Sequence, residues 1–323
     1  MRAPDFWQTD AMMARALSPL SWLWRAGAGI RAMTTTMRHP GCKVFCVGNF
    51  TIGGAGKTPT AQALYQTLRD LGVEAHFLSR GYGGKLAGPH QVDPTKDTAS
   101  DVGDEPLLLA QSGPAWISRD RGIGAEAACN AGAQAIILDD GLQNPSVIKD
   151  CSFAVIDSGF GIGNGRVIPA GPMRETLEQG LAKIRAIILI GDGNPAFLDT
   201  LPASVPILRA HVVARNGPAF TGRRVVAFAG IGRPAKFYDS LRAVEANIVE
   251  TVDFADHHVF HKDELAALRH KATSQDADLV TTEKDLMRLP STERDGISAL
   301  GIRLEFDAPE QLVNIVSAVL SDG

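Results

Sequence analysis

From Lys43 onward, short apolar runs alternate with longer stretches in which apolar positions recur every three to four residues. That alternation predicts strands separated by helices, stacked into a parallel α/β sheet. The strand candidates are Val44–Val47, Ala75–Leu78, Ala115–Ile117, Ala135–Leu138, Phe153–Ile156 and Ala186–Ile190. The pattern weakens through a Pro- and Gly-rich stretch at 191–206. It resumes as Val225–Ala229, Ile248–Val252 and Leu279–Thr281, with polar helices between them. The interruption predicts one domain over 32–208 and a smaller α/β domain over 220–308. A terminal helix follows within 309–323, with Leu312, Ile315, Val316 and Val319 on one face.

The leading segment, 1–31, has another character. Ser18 and Pro19 suit an N-cap and first helical position, which predicts a helix over Ser18–Arg31. Such a helix rises only about 20 Å, short of the roughly 30 Å hydrocarbon core. Leu20, Leu23, Trp24, Gly27 and Ile30 would share one side, with Ser21, Arg25 and Ala28 facing away. Trp7, Trp22 and Trp24 beside arginines suit a headgroup boundary, and the same pattern fits a helix docked on the protein's own core. No run of 18 apolar residues occurs, so no spanning helix is expected. The stretch Ala11–Trp24, broken by Arg15 and Pro19, makes a poor signal peptide.

Charge sharpens this picture. Residues 1–43 hold six Lys/Arg against Asp5 and Asp10, a local +4 that leaves −8 for the remainder of a chain whose net charge is −4. A basic leader on an acidic body points to an anionic membrane surface rather than to nucleic acid. A composition of 45% hydrophobic and 21% charged residues excludes a disordered or collagen-like chain. Cys42, Cys46, Cys129 and Cys151 form no CxxC pair and no disulfide-like framework, which fits a reducing cytoplasm with Cys42 and Cys46 in core packing.

The chemistry concentrates after the first strand. Gly53-Gly54-Ala55-Gly56-Lys57-Thr58 lies between a strand and a helix, where glycine amides can curl round phosphate oxygens. Thr51, Ile52, Gly53, Gly54, Ala55, Gly56, Lys57 and Thr58 are the expected ATP-binding residues. Lys57 would reach the β/γ-phosphates and the Thr58 hydroxyl would ligate Mg²⁺. The first glycine of G-x-x-x-x-G-K-[ST] falls on Thr51, so the strict pattern is not met. The apolar run Ala135–Leu138 ends in Asp139 and Asp140, which joins Thr58 as the expected metal set. Arg80, Arg119, Arg121 and Arg174 follow other strands and can clamp phosphates or serve as solvated surface charge. Asp104, in an acidic loop, suits either a catalytic base or a helix cap. In Asp256-His257-His258, one histidine orienting a carboxylate fits better than a zinc site, because adjacent extended residues point apart. Thr281-Thr282-Glu283-Lys284-Asp285 ends another strand and is not the N-K-x-D motif of a GTPase.

Together these segments resemble the tetraacyldisaccharide 4'-kinase family, the lipid A 4'-kinases of Gram-negative bacteria. The matching pieces are Val47-Gly48-Asn49 leading to Gly53–Pro59, Ser79-Arg80-Gly81-Tyr82-Gly83, Gly103-Asp104-Glu105-Pro106, Asp139-Asp140-Gly141-Leu142-Gln143, Gly171-Pro172-Met173-Arg174-Glu175, Asp256-His257-His258 and Thr282-Glu283-Lys284-Asp285. They run in family order over about 18–290, with Leu142 where the family has phenylalanine. The resemblance implies a P-loop NTPase-like fold and an ATP- and Mg²⁺-dependent kinase of the 4'-hydroxyl of an acylated glucosamine disaccharide 1-phosphate. It also implies a monotopic enzyme on the cytoplasmic face of the inner membrane. Lys57, Asp139, Asp104 and a histidine, His257 by preference over His258, are the expected catalytic groups. Asn49, Arg80, Tyr82, Arg119, Arg121, Gln143, Arg174 and Glu175 are the expected substrate contacts. No nucleic-acid or protein partner is expected. The competing reading is a membrane-associated P-loop ATPase switch that phosphorylates no small molecule.

Overall fold

The computed structural model describes residues 4–9 and 11–322. Arg2 and Asp10, counted in the leading charge, lie outside the described residues. Strands β1 (Lys43–Gly48), β2 (Ala75–Ser79), β3 (His90–Gln91), β4 (Ala115–Ile117), β5 (Ala135–Asp139), β6 (Cys151–Asp157), β7 (Ala186–Ile190) and β8 (Ile207–Ala214) share one sheet. A second sheet holds β9 (Arg224–Ala229), β10 (Asn247–Asp253), β11 (Asp278–Thr282) and β12 (Ile297–Leu300), and β13 (Ile302–Phe306) returns to the first. The large sheet runs β13-β8-β7-β6-β1-β5-β2-β4-β3. It is parallel except at its ends, where β13 opposes β8 and β3 opposes β4. The small sheet, β10-β9-β11-β12, is parallel throughout.

Apolar residues fill both faces of the central strands, as a doubly covered parallel sheet demands. Helix α1 (Met12–Thr34) precedes the sheet. One face is covered by α2 (Lys57–Asp70) and, beyond the short α3 (Ala99–Val102), by α4 (Asp104–Ala110). There Leu64, Leu68, Leu107 and Leu109 pack with Phe45 and Val47. Helices α5 (Arg121–Asn130) and α6 (Leu177–Leu181) cover the opposite face, where Ala125 and Ala128 meet Val44 and Cys46. The small sheet lies between α7 (Pro234–Ala243) and α8 (Lys262–Ser274). Helix α9 (Glu283–Arg288) crosses the boundary, for its Met287 is buried in the core beneath α2 and α4. Helix α10 (Pro309–Ser321) packs Leu312 and Val316 into that same core.

Three expectations need correction. The first domain does not end at 208 and the second does not run to 308. The break at 208 falls inside β8, and β13, inside 220–308, completes the large sheet by pairing with β8. The polar residues in Ile207-Leu208-Arg209-Ala210-His211 hid a strand that lies one place from the edge. The first helix is not Ser18–Arg31 but Met12–Thr34, 23 residues or about 34 Å, with Pro19 inside it. Ser18 caps nothing there, since its Oγ donates back to the Ala14 carbonyl at 3.0 Å. Tertiary anchors override the proline: Ala14 and Ser21 are buried, Ser21 Oγ donates to the Val167 carbonyl at 2.7 Å, and Trp24 Nε1 to that of Arg174 at 3.0 Å. The cysteines are not all reduced, because Cys42 and Cys129 are joined by a disulfide while Cys46 and Cys151 stay free and buried. Cys42 precedes β1 and Cys129 sits in the last turn of α5, which packs on that strand's face, so residues 87 apart in sequence become neighbours.

Candidate active site

At the carboxyl end of β1 the chain turns through 49–56 into α2. Gly56, with φ of 91°, closes the turn so near β7 that a Cβ there would meet Ile190 Cδ1 at 2.5 Å. Gly53 and Gly54 face open space, with nothing within 4 Å of a Cβ position. Helix α2 begins at Lys57 with no side-chain cap, leaving its first amides and positive dipole end for an anion. The loop is held from behind. Asn49 Nδ2 donates to the Gly53 carbonyl at 3.1 Å, Ile52 N to that of Pro172 at 2.9 Å, and buried Thr51 bridges Met173.

Asp139 and Asp140 are adjacent in sequence and opposite in electrostatics. Asp139 ends β5, fully buried, with Oδ1 lacking any hydrogen-bond partner. Burial, then the nearby Glu105 charge, pushes its carboxyl up to about 7 against the pull of Lys57. Asp140 adopts a left-handed φ of 54° and turns toward cations: Lys57 Nζ at 3.7 Å and the Arg174 guanidinium at 2.7 and 3.1 Å. Burial alone would raise Asp140, but Lys57 and Arg174 outweigh it and hold the carboxyl below its ordinary value.

The expected substrate contacts separate into two groups. Gln143 bridges the Asn49 carbonyl (3.1 Å), Glu175 (3.0 Å) and Arg174 (3.1 Å), and Glu175 also pairs with Lys183. Asn49, Gln143, Arg174 and Glu175 thus form a frame behind the loop and Asp140. Arg119 donates outward to the Lys85 carbonyl. Arg121, the first residue of α5, is buried with its Nε unpartnered, and its pKa is lowered to about 10 by burial and then by the nearby Arg80 charge. A buried arginine with an unpartnered Nε beside a second positive charge has capacity for an anion. Tyr82 is 68% exposed and its ring lies 5.6 Å from that of His257.

The smaller domain supplies the last pieces. Gly103, with φ of 92°, lets the chain pass so close to Tyr82 that a Cβ would meet its carbonyl at 2.5 Å, which sets Asp104 at the start of α4 in a buried position. From across the domain boundary, His257 brings Nδ1 to 3.3 Å from Asp104 Oδ2. His257 is held in a left-handed backbone, φ 59°, and its amide donates to the Gly230 carbonyl. A bulky residue held there signals a locally strained backbone that the surroundings enforce. His258 turns the other way, stacking on Phe254 and pairing with Glu264 at 2.9 Å. Burial would raise the Asp104 carboxyl, but the His257 hydrogen bond and the Lys284 and Arg288 charges hold it well below the usual carboxylate range.

The chain as a whole is similar to known proteins. The family model for tetraacyldisaccharide-1-P 4'-kinase matches residues 13–321. The tetraacyldisaccharide 4'-kinase of Rhodospirillum centenum is 46% identical over 99% of this chain and 97% of its own. That of Rhodospirillum rubrum is 48% identical over 96% of this chain and 95% of its own. The chain belongs to the tetraacyldisaccharide 4'-kinase family. A crystal structure of LpxK from Aquifex aeolicus in complex with ATP shares the fold, with a TM-score of 0.75 and 24% identity over 95% of this chain and 99% of that one.

Arg288 of α9 escaped the reading of motifs, yet it is buried against Asp104 at 2.5 Å and Asp285 at 2.7 Å. Its three-residue spacing from Asp285 in a helix that opens with Thr282 was the available signal. Lys284 pairs with Glu105 at 2.8 Å, and at a separate point of contact Arg233 and Lys236 both pair with Asp157. Basic residues of the small domain therefore meet acids of the large one at both points.

Proposed function

We propose that this chain transfers the γ-phosphate of ATP to the 4'-hydroxyl of a tetraacylated disaccharide 1-phosphate, with the reacting groups assembled between its two domains. Family membership across nearly the whole chain supports the activity. The observation that carries the arrangement is Asp104 and His257, from different domains, in contact beside a P-loop and its paired acids. The loop amides and Lys57 hold the phosphates. Thr58 and Asp139 are the residues that would hold Mg²⁺, because an unpartnered, fully buried carboxylate oxygen is a hard ligand in want of a cation. When bound, that ion neutralises charge on the phosphate oxygens. Asp140, already tied to Lys57 and Arg174, orients the lysine rather than the metal.

The acceptor hydroxyl is a weak nucleophile and needs a base within hydrogen-bond reach. Asp104, kept ionised, takes its proton as the new O–P bond forms and ADP leaves. His257 orients that carboxylate. Arg80 and Arg121 stabilise the transferring group's charge, and exposed Tyr82 offers a sugar-facing ring.

Helix α1 supports a membrane surface as the meeting place with the lipid. Ser21 and Trp24 anchor it to the 166–174 segment. Met12, Leu20, Trp22, Leu23, Ile30 and Met33 stay exposed, and Arg25 lies over the Trp22 ring. An apolar stripe left open on a docked helix suits interfacial insertion on the cytoplasmic leaflet. No helix among the described residues is long and apolar enough to cross a membrane. The test of the reaction is ATP supplied with the tetraacylated disaccharide 1-phosphate. One ADP per phosphorylated disaccharide supports the kinase, and acceptor-independent hydrolysis supports the switch.

A further inference from the structure

Helix α9 ends in a side chain that the chemistry so far leaves unused. The Arg288 side chain is only 6% exposed, and its guanidinium is divided between two domains. Within the small domain, Nη1 donates to the Gly230 carbonyl at 2.6 Å and to Asp285 Oδ1 at 2.7 Å. Asp285 is itself fixed, accepting from the Gly230 amide at 3.1 Å and from Thr282 Oγ1 at 2.7 Å. The small domain thus holds one edge of the fork before any contact with its neighbour. The other edge crosses the boundary: Nε lies 2.6 Å and Nη2 2.5 Å from Asp104 Oδ2. Nη2 also lies 3.4 Å from His257 Nδ1, while the second oxygen of Asp104 accepts from the Glu105 amide at 2.9 Å.

From this geometry we infer that Arg288 is a positioning residue for the Asp104–His257 pair, a preorganised fork that seats the base carboxylate only when α9 docks on α4. The inference rests on Asp104 being the base. Two consequences follow from the shared atoms. Arg288 and His257 both address Oδ2, so the guanidinium fixes the plane of the carboxylate that the imidazole meets, and the other oxygen stays on its backbone amide. The guanidinium also selects the imidazole's partner. With Nδ1 protonated, His257 donates to Asp104, and with Nδ1 bare it accepts from Arg288. The groups facing Asp104 are Glu105 on its own helix, Lys284 and Arg288 on α9 with Asp285 behind them, and His257 with Tyr82 beside it. Arg288 touches both members of the pair.

A purely structural salt bridge would affect folding or affinity, whereas a positioning fork affects turnover and the acid limb of its pH profile. In Arg288→Gln we expect kcat to fall about tenfold or more with the KM for ATP within about threefold. The acid limb of kcat should move up by roughly one pH unit, because loss of a neighbouring cation makes a carboxyl harder to ionise. Arg288→Lys keeps the charge that Asp285 needs but not the fork, so it should fold, leave the acid limb in place and recover part of kcat. If Arg288→Gln does not fold, Arg288→Lys decides alone: kcat within twofold of wild type overturns the inference, and a loss with unchanged KM and an unmoved acid limb upholds it. An unmoved limb in folded Arg288→Gln likewise overturns it. Asp104→Asn, measured beside them, separates the two readings. Activity in that variant removes Asp104 as base, whereas an inactive Asp104→Asn with a normal Arg288→Gln removes only the role of Arg288.

Discussion

The phosphate loop and helix α9 both bring charge into buried surroundings, and they treat it in opposite ways. Around the loop, polar atoms are left wanting: Asp139 Oδ1, Arg121 Nε and Asn49 Oδ1 have no partner. At α9 each charge has an answer, Arg288 with Asp104 and Asp285, and Lys284 with Glu105. Buried polar groups without partners are costly, so a fold keeps them where a ligand completes them. Satisfied ionic networks instead fix relative position. The first region is built to receive, the second to align.

The sharpest way to break this contrast is at the loop. Lys57→Ala should lower kcat by a factor on the order of 100 or more while thermal unfolding barely changes, since the lysine neutralises charge rather than packs. A loss of less than about tenfold, only ~1.4 kcal/mol of barrier, would remove Lys57 from the mechanism. Asp139→Asn should lower Mg²⁺-dependent turnover strongly yet stabilise the ligand-free protein by about 1 kcal/mol, because an unpaired buried carboxylate is replaced by a neutral amide. Lost activity together with a lower melting temperature would mean that Asp139 is structural.

At α9 the same change has the reverse sign. Asp104 titrates below its unfolded value of 3.8, so it contributes stability that is present above about pH 4 and is lost as pH falls below. Asp104→Asn should therefore destabilise the protein at pH 7 and flatten its acid unfolding curve. An unchanged curve would show that Arg288 draws nothing from Asp104. The smallest effect concerns α1, where Trp22→Glu with Leu23→Glu should leave the fold intact and reduce cosedimentation with anionic vesicles severalfold at low salt. Unchanged cosedimentation would return the helix to a packing role alone.

The receiving region was legible in the sequence because its constraints are local. A strand, a glycine turn, Gly-Lys-Thr and a helix follow one another, and Asp139-Asp140 closes an unmistakable apolar run. The aligning region was only half legible. His257 and Asp104 could be named from their motifs, but the choice between His257 and His258 rests on a backbone φ that no spacing reveals. Arg288 contacts a residue 184 positions away, and nothing near it marks that partner. The return of β13 to the large sheet was hidden for the same reason, as was the Cys42–Cys129 pairing. At α1 the pattern left a headgroup boundary and the protein's own core both open as partners; the structure buries Ala14 and Ser21 and leaves Leu20, Leu23 and Ile30 exposed.

The central claim, that the base and its orienting histidine are assembled across the domain boundary as one unit, is tested most directly by the kinetics of Asp104→Ala, His257→Ala and the double variant with saturating ATP. The account predicts that each single change lowers kcat far more than it raises the KM for ATP, and that the double variant is little worse than the poorer single one. Losses that multiply would contradict it, showing two independent residues that happen to touch.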